Sequence, residues 1–466
     1  MNDCIFREYD IRGIVGTELP IEQAYDLGQA IVTFLKKKHP HLTTMVVGRD
    51  GRTHGQSITK HVMQAFLDHG LDIINIGIVP TPVVYFSVHF FNTPGGICVT
   101  ASHNPKEYNG IKIWSVWGKE IQEIKKIYQT KAFAEKSNKK GAIRDYDMIT
   151  EYVNYLSEKF SPLQNAKLDV IIDCGNGTAG TIFPALVEKM KWGNVKLLFT
   201  EVDGTFPHHE ADPTVKKNML AVKGELDRSS WFKFGIGLDG DCDRMAPMTQ
   251  NGFLVPGDQL LALFAQKVLK NNPKATVVFD IKSSASLTEV LQKLGANPVM
   301  SPSGHSIIKE QMLKHKALLA GELSCHFFFS DRYFGYDDGI YAAMRLFEII
   351  QESNETLENL IASFPVKISS PEFRIPCVSE AEKGIIVDHV KNIFAARTDA
   401  DIITIDGIRA QMAYGWGLAR ASNTQNVICL RFESDSAAGL KKVKQDFFDA
   451  LVPYFEKKKL KEGIDL

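Results

Sequence analysis

One arrangement of apolar and polar positions occurs three times along the chain. Each copy opens on an apolar run that ends in an Asp or Gly turn: VVGRDGR (46–52), VIIDCGNG (170–177) and VVFDIKSS (277–284). Helical periodicity follows, then a second short run: LDIINIG, VKLLFTEVDG and ANPVMSPSG. A third apolar run closes each copy: GGICVTASHNP, FKFGIGLDGDCDR and ALLAGELSCH. Strands alternating with helices predict parallel sheets. Strands that are apolar throughout, not at alternate positions, predict helices on both sheet faces. The tail differs. DIITIDGIRAQMAYGWGLARASNTQNVICLRFES alternates apolar and polar residues at period two, broken by Asp-Gly and Gly-x-Gly turns, so it reads as an antiparallel sheet. AAGLKKVKQDFFDALVPYFEKK then has helical spacing. KKGAIRDYD and FPVKISSPEF look like connectors, which gives expected segments 1–150, 151–253, 254–366 and 367–466. The expected fold class is α/β: three similar mixed α/β domains with helices on both sheet faces, and a fourth α+β domain with an antiparallel sheet.

Composition narrows the classes. A chain of 466 residues exceeds one hydrophobic core, and at roughly 100–200 residues per domain it should hold three or four. Lys+Arg number 54 against Asp+Glu 55, so there is no global electrostatic case for binding nucleic acid or an anionic membrane, although a local basic pocket stays open. No run reaches the ~18 apolar residues of a membrane span, and the opening MNDCIFREYD lacks a basic segment followed by an apolar one. The seven cysteines are scattered without a C-x-x-C pair, which suggests neither a disulfide framework nor a zinc cluster. A cytoplasmic protein is the expectation.

The chemistry is concentrated at strand ends, where open α/β sheets bind ligands. In the first copy a strand over Gly95–Thr100 delivers Ser102, His103, Asn104 and Pro105 into one turn. Because Asn-Pro restrains the backbone, Ser102 is expected on a stiff, exposed loop. In the second copy Asp239, Asp241 and Asp243 alternate along a turn. Converging carboxylates repel unless a hard cation joins them. A calcium EF-hand would need Gly at the sixth position and Glu at the twelfth, and these are Arg244 and Gln250. A Mg²⁺ ion with open positions for a phosphate fits better; a solvated acidic turn is the plain alternative. In the third copy Glu322 and Ser324 fall on one side of a pleat and could grip vicinal hydroxyls, or simply cap a turn. RASNT offers Arg420 beside Ser422, Asn423 and Thr424 in a turn, the parts of a phosphate clamp or of a hairpin loop.

Together these motifs resemble the α-D-phosphohexomutase superfamily, most closely its bacterial phosphomannomutase/phosphoglucomutase branch, over essentially the whole chain and in the family's order. TASHNP is similar to the phosphoserine loop, DGDCDR to the metal loop, GELSCH to the sugar-binding loop and RASNT to the phosphate-binding loop. The resemblance implies four domains arranged around one central cleft, each contributing a loop. It implies that Ser102 carries the transferable phosphoryl group, whose oxygens share Mg²⁺ with Asp239, Asp241 and Asp243. Arg244 would lie beside the phosphoserine, Tyr9 and Arg12 of FREYDIRG would line the cleft, and His103 and Lys112 would sit near the reacting oxygen. Lys282 of DIKSS and His305 of SGHS would join Glu322, Ser324, Arg420, Ser422, Asn423 and Thr424 in binding substrate. Cys325 stands where relatives commonly have glycine and Leu323 where this branch often has methionine, which bears on sugar preference. The implied activity interconverts hexose 1-phosphate and hexose 6-phosphate, of mannose, glucose or both, through a hexose 1,6-bisphosphate. Arg12 and Lys112 are candidate acid/base groups. The implied partner is a phosphorylated hexose and the implied state a monomer; charge and hydropathy give no expectation of a nucleic acid or membrane partner. A phosphoglucosamine mutase, a sugar-phosphate phosphatase with Asp239 as nucleophile and Ser102 idle, and a catalytically silent sensor remain as alternatives.

Overall fold

In the computed structural model, which describes residues 3–422 and 426–465, the apolar runs become the strands of four sheets. By contacts the chain divides into two compact units, Met1–Leu260 with Ser324–Ile361, and Leu261–Leu323 with Ala362–Leu466.

The first sheet contains β1 (Ile11–Ile14), β2 (Thr44–Arg49), β3 (Asp72–Ile78), β4 (Gly96–Val99), β5 (Tyr108–Ile113) and β6 (Ile143–Asp145), in the order β1-β5-β4-β2-β3-β6. β2 runs parallel to β3 and β4, as the strand-helix alternation predicts. β5 then reverses and pairs antiparallel with β4. Only the short turn from Thr100 to Glu107 separates the two, and a parallel crossover needs about a dozen residues or more. Met45, Val47, Ile97 and Val99 bury one sheet face in a core shared with residues of helices Ala24–Lys38, Gly55–Asp68 and Lys119–Thr130. The other face receives helix Thr81–Phe90, buried from Thr81 to Val88. Gly48 permits that approach, since a Cβ there would lie 2.7 Å from a methyl of Val84. A helix covered on all sides is apolar on all sides.

The second sheet repeats the plan with β7 (Lys167–Asp173), β8 (Gly193–Leu198), β9 (Phe234–Leu238) and β10 (Met245–Thr249), ordered β10-β9-β7-β8. β7 is parallel to β8 and β9, and β10 reverses onto β9. Both sheets thus contain an antiparallel hairpin, β4–β5 or β9–β10, whose turn carries Ser102 in one case and the three aspartates in the other. In the second unit β11 (Thr276–Asp280) lies between β12 (Asn297–Ser301) and β13 (Leu319–Gly321), parallel to both. The chain then returns to the first unit with β14 (Phe327–Phe329) and helix Gly339–Ser353.

The fourth sheet is antiparallel, as its period-two pattern predicts: β15 (Ile368–Ser369), β16 (Phe373–Pro376), β17 (Ala400–Ile403), β18 (Ile408–Met412), β19 (Gly415–Ala421) and β20 (Val427–Ser434). Helices Glu380–Ala395 and Ala437–Leu451 pack on it, with Phe394 and Phe447 rings 4.3 Å apart in its core. The first of these helices is not among the expected elements, although its start is marked in the sequence. Ser379 Oγ, the N-cap, accepts from Glu382 N at 3.2 Å, and the Glu382 carboxylate accepts from Val378 N, one residue before the cap, a variant of the capping box. No described helix is long and apolar enough to cross a membrane, and all seven cysteines are free.

Candidate active site

The Ser102 turn is stiff for a reason other than the one its proline suggests, and it is not exposed. Ser102 is 2% exposed and has a left-handed backbone, φ 52°. Arg52, buried at the turn after β2, donates from Nε to Asp50 at 3.1 Å. Its Nη1 reaches the carbonyls of Pro105 (2.7 Å) and Tyr108 (3.0 Å), and its Nη2 those of Ser102 (2.8 Å) and Asn104 (2.5 Å). One guanidinium therefore shapes the whole turn. Thr100 completes it by donating to Asp50 at 2.7 Å and accepting Ser102 N at 2.9 Å. Among five guanidinium N–H groups with rigid geometry, four carbonyls and one carboxylate leave the backbone little freedom.

Ser102 Oγ donates to Asp239 Oδ2 at 2.8 Å and lies 3.2 Å from His103 Nδ1. Burial, with Arg244 and Arg12 nearby, holds the His103 imidazole well below its ordinary pKa, so it is neutral. Gly240 lets the two turns meet: a Cβ there would stand 2.8 Å from Ser102 O. Arg12 pairs with Asp10 and donates to Asn104 Oδ1 at 2.8 Å, tying β1 to the serine turn, with half-buried Tyr9 just before it.

Asp239, Asp241 and Asp243 are all buried, each with a carboxylate oxygen within 4.8 Å of the others, which rules out a solvated acidic turn. Lys112 of β5 donates to Asp241 at 2.7 Å and also to Asp243, and Thr81 Oγ1 donates to Asp241 at 2.6 Å. Burial opposes the Lys112 charge, but the two aspartates outweigh it and hold the amine well above its usual pKa. Burial, with Asp243 and Asp241, pushes the Asp239 carboxyl well above the carboxylate range. Burial acts the same way on Asp243, where Lys112 and His326 outweigh it and lower the pKa. Asp241 Oδ1 is buried with no hydrogen-bond partner among the described residues. A buried anionic oxygen left over from a converging triad is the arrangement a hard cation completes.

Arg244 N donates to Asp239 Oδ1 at 3.1 Å and its Nε lies 3.2 Å from His326 Nε2. His326 faces Asp243 Oδ1 at 3.3 Å, and its Nδ1 is 3.3 Å from Ser324 Oγ. The expectation that Glu322 and Ser324 share a pleat fails, because β13 stops at Gly321. Ser324 belongs to the first unit and Glu322 to the second.

In the second unit buried Glu322 accepts Gly304 N at 2.7 Å, at the start of the helix His305–His315 that places His305. Lys282, just past β11, lies 3.7 Å from both Asp280 and Glu372. Burial opposes its charge, but Glu372 and Asp280 outweigh it and raise its pKa. Arg420 is on strand β19, not in the turn expected for it, and its Nε donates to Asp406 at 2.7 Å. Buried Ser422 follows that strand, with its carbonyl accepting from Lys383 at 2.6 Å. Asn423 and Thr424 lie outside the described residues.

Comparison with known proteins matches four consecutive domain families to this chain. These are Phosphoglucomutase/phosphomannomutase alpha/beta/alpha domain I (residues 3–138), domain II (150–252) and domain III (256–367), and the C-terminal domain (374–450). A phosphomannomutase/phosphoglucomutase of Pseudomonas syringae pv. tomato is 39% identical, covering 100% of this chain and 97% of that protein. The chain belongs to the phosphoglucomutase/phosphomannomutase family. A phosphoglucomutase of Neisseria meningitidis serogroup A is 37% identical over 95% of each chain. The crystal structure of a phosphoglucomutase/phosphomannomutase family protein from Burkholderia thailandensis superposes with a TM-score of 0.86 at 33% identity, covering 97% of this chain and 98% of that one.

Around the candidate site, Arg52, Asp50, Thr100, Thr81 and His326 contact the serine turn or the triad without being marked as candidates by the sequence motifs. Asp50 and Arg52 belong to the turn that ends the first apolar run. Their spacing, Asp-x-Arg at a strand end, is the only signal that could have marked them. His326 stands inside GELSCH, two positions beyond Ser324.

Proposed function

We propose that this hexose phosphate mutase works through a phosphorylated Ser102, with Mg²⁺ held by Asp239, Asp241 and Asp243, and through a hexose 1,6-bisphosphate. The single observation that carries the reading is the buried contact of Ser102 Oγ with Asp239 inside the carboxylate triad. An aspartyl phosphatase would leave Ser102 idle, whereas here it shares the oxygens of the candidate metal site. When bound, Mg²⁺ supplies charge neutralisation to a phosphoryl group on Ser102.

The residues of the chain do the rest. The phosphoryl group passes from Ser102 Oγ to the free hydroxyl of a hexose 1- or 6-phosphate. The seryl P–O bond breaks as a P–O bond to the sugar forms, and the sugar's hydroxyl proton leaves to a nearby base. The reverse transfer, from the other end of the bisphosphate, restores phospho-Ser102. Arg52 presents Oγ in a fixed geometry, and positioning with charge neutralisation is most of what such transfers need. Lys112, held charged, serves as an electrostatic partner, while neutral His103 is suited to hold a proton at Ser102 Oγ. Lys282, His305, Glu322 and Arg420 bind the sugar and the phosphate that is not being transferred, together with Ser324 and Ser422. Mannose and glucose 1-phosphates are the substrates we favour, acted on by a cytoplasmic monomer.

Intact mass of the purified protein tests the covalent step: a gain of one phosphoryl group, absent from Ser102→Ala, is expected. Assays of mannose, glucose and glucosamine 1-phosphates side by side test the sugar. Full isomerase turnover in Ser102→Ala would overturn the phosphoserine route.

A further inference from the structure

Lys282 is held in place by residues more than 120 positions further along the chain. Arg409 of β18 donates from Nη1 to Ile281 O at 2.6 Å (sequence separation 128) and to Ser283 O at 2.8 Å (separation 126), the carbonyls on either side of Lys282. Its guanidinium carbon lies 3.6 Å from the centre of the Trp416 ring. Trp416 Nε1 donates to Glu433 Oε1 at 2.8 Å, and the same oxygen accepts Ala285 N at 3.0 Å. Arg409, Trp416 and Glu433 are buried, and Ile281 packs with Trp416 in a small apolar cluster. The turn after β11 is thus gripped on both sides of Lys282 by the fourth sheet.

A second tie joins the same two segments. Asp406 Oδ2 accepts from Arg420 Nε at 2.7 Å and from Ser303 N at 3.1 Å, two residues before His305. The charge of Arg420 acts on Lys282 and on Glu372, so these groups share one electrostatic neighbourhood.

We propose that Arg409 is a positioning residue of a two-cation phosphate clamp. Stacked on Trp416, it fixes Lys282 relative to Arg420, so that one sugar phosphate meets cations delivered by two different segments. This rests on the reading that the second unit binds the phosphate that is not being transferred. The residue must be arginine for a physical reason. Lysine would supply the charge and N–H donors but not the planar guanidinium that lies over the Trp416 indole. Since Arg409 acts on binding and not on the transfer at Ser102, its loss should appear in KM.

Arg409→Lys is expected to raise KM for hexose 1-phosphate and hexose 6-phosphate alike, by about ten-fold or more, with kcat within about three-fold of wild type. Ser102 phosphate occupancy, read by intact mass, stays unchanged. In a Lys282→Met background the same substitution should add less than about two-fold to KM, because its target is gone. If Arg409→Lys does not fold, Trp416→Phe carries the test, and it should raise both KM values while keeping kcat. A fall in kcat at unchanged KM would overturn the proposal, as would Arg409 and Lys282 effects on KM that simply multiply. Wild-type turnover, measured alongside, separates this proposal from the function it rests on: with isomerisation present, only the role of Arg409 is at stake.

Discussion

Cys242 and Cys325 hold left-handed backbone conformations, with φ 62° and 65°, in the two turns that carry the aspartates and Ser324. A side chain there costs about 1 kcal/mol relative to glycine. Cys325→Gly should therefore be more stable than Cys325→Ala by about that amount in urea unfolding, both having lost the thiol; equal stability would mean that the turn relaxes. Ser102 shares this geometry, and its burial changes what substitution does. Ser102→Ala should lose isomerase turnover to the detection limit and also about 1 kcal/mol of stability, through the hydrogen bond to Asp239. For the triad, chelation should abolish turnover and Mg²⁺ restore it. Asp241→Asn should need more Mg²⁺ for the same turnover, with relief of carboxylate repulsion set against the lost pairing to Lys112 leaving the metal-free melting temperature little changed. A large drop in melting temperature would give the turn a structural task instead. Ser102 and the aspartates were legible because a serine beside a histidine, or three alternating carboxylates, has few other uses. Arg52, Asp406 and Arg409 were not, because a charge near an Asp-Gly turn looks solvated until long-range packing buries it.

Helix Gly339–Ser353 shows how an element can carry a pH dependence of its own. Its N-cap, Asp338, accepts from Tyr341 N at 2.8 Å and from the hydroxyls of Tyr152 and Tyr333, each at 2.7 Å. Burial pushes its carboxyl from an ordinary 3.8 up to about 6, against the pull of those donors. A raised folded pKa favours the protonated form, so the contribution is fully present below about 4 and lost as pH rises through about 6. The expected loss is about 3 kcal/mol across that window. Unfolding followed from pH 4 to 7 should show this slope in wild type and a flatter profile in Asp338→Asn; identical profiles would place the proton elsewhere. At this scale the sequence was read well where periodicity was clean, as in the tail's antiparallel strands. It was read poorly where a hairpin replaced a crossover, because a strand's direction is set by the length of its connection and not by its own residues. Helix Glu380–Ala395 is marked in the sequence only by its cap, Ser379 with Glu382, because its apolar positions lack a clear helical face.

Over the whole chain, the three-fold repeat and the different tail were visible because parallel-sheet strands and antiparallel strands have different hydrophobic periods. Which segments would group into one compact unit was not visible, since that depends on contacts such as those of Arg409 with the turn after β11. Arg420→Ala tests how the tail serves the reaction. It should weaken binding of hexose 1-phosphate and hexose 6-phosphate alike, by roughly ten- to two-hundred-fold, and increase release of free bisphosphate, with Ser102 phosphorylation kept. Loss confined to one isomer would deny a shared clamp. The Arg52 turn also has a consequence in time. Its bonds to Ser102 and Asn104 close loops of 50 and 52 residues, whereas the Ser102 bond to Asp239 closes one of 137. On a growing polypeptide the serine turn, shaped by Arg52 and Asp50, can take its final form while the second repeat is still being translated and Asp239, Asp241 and Asp243 are not yet present. The shape of the turn is therefore expected to form before its reactivity, and a chain stalled between the two repeats should hold a formed turn that lacks the aspartates it works with.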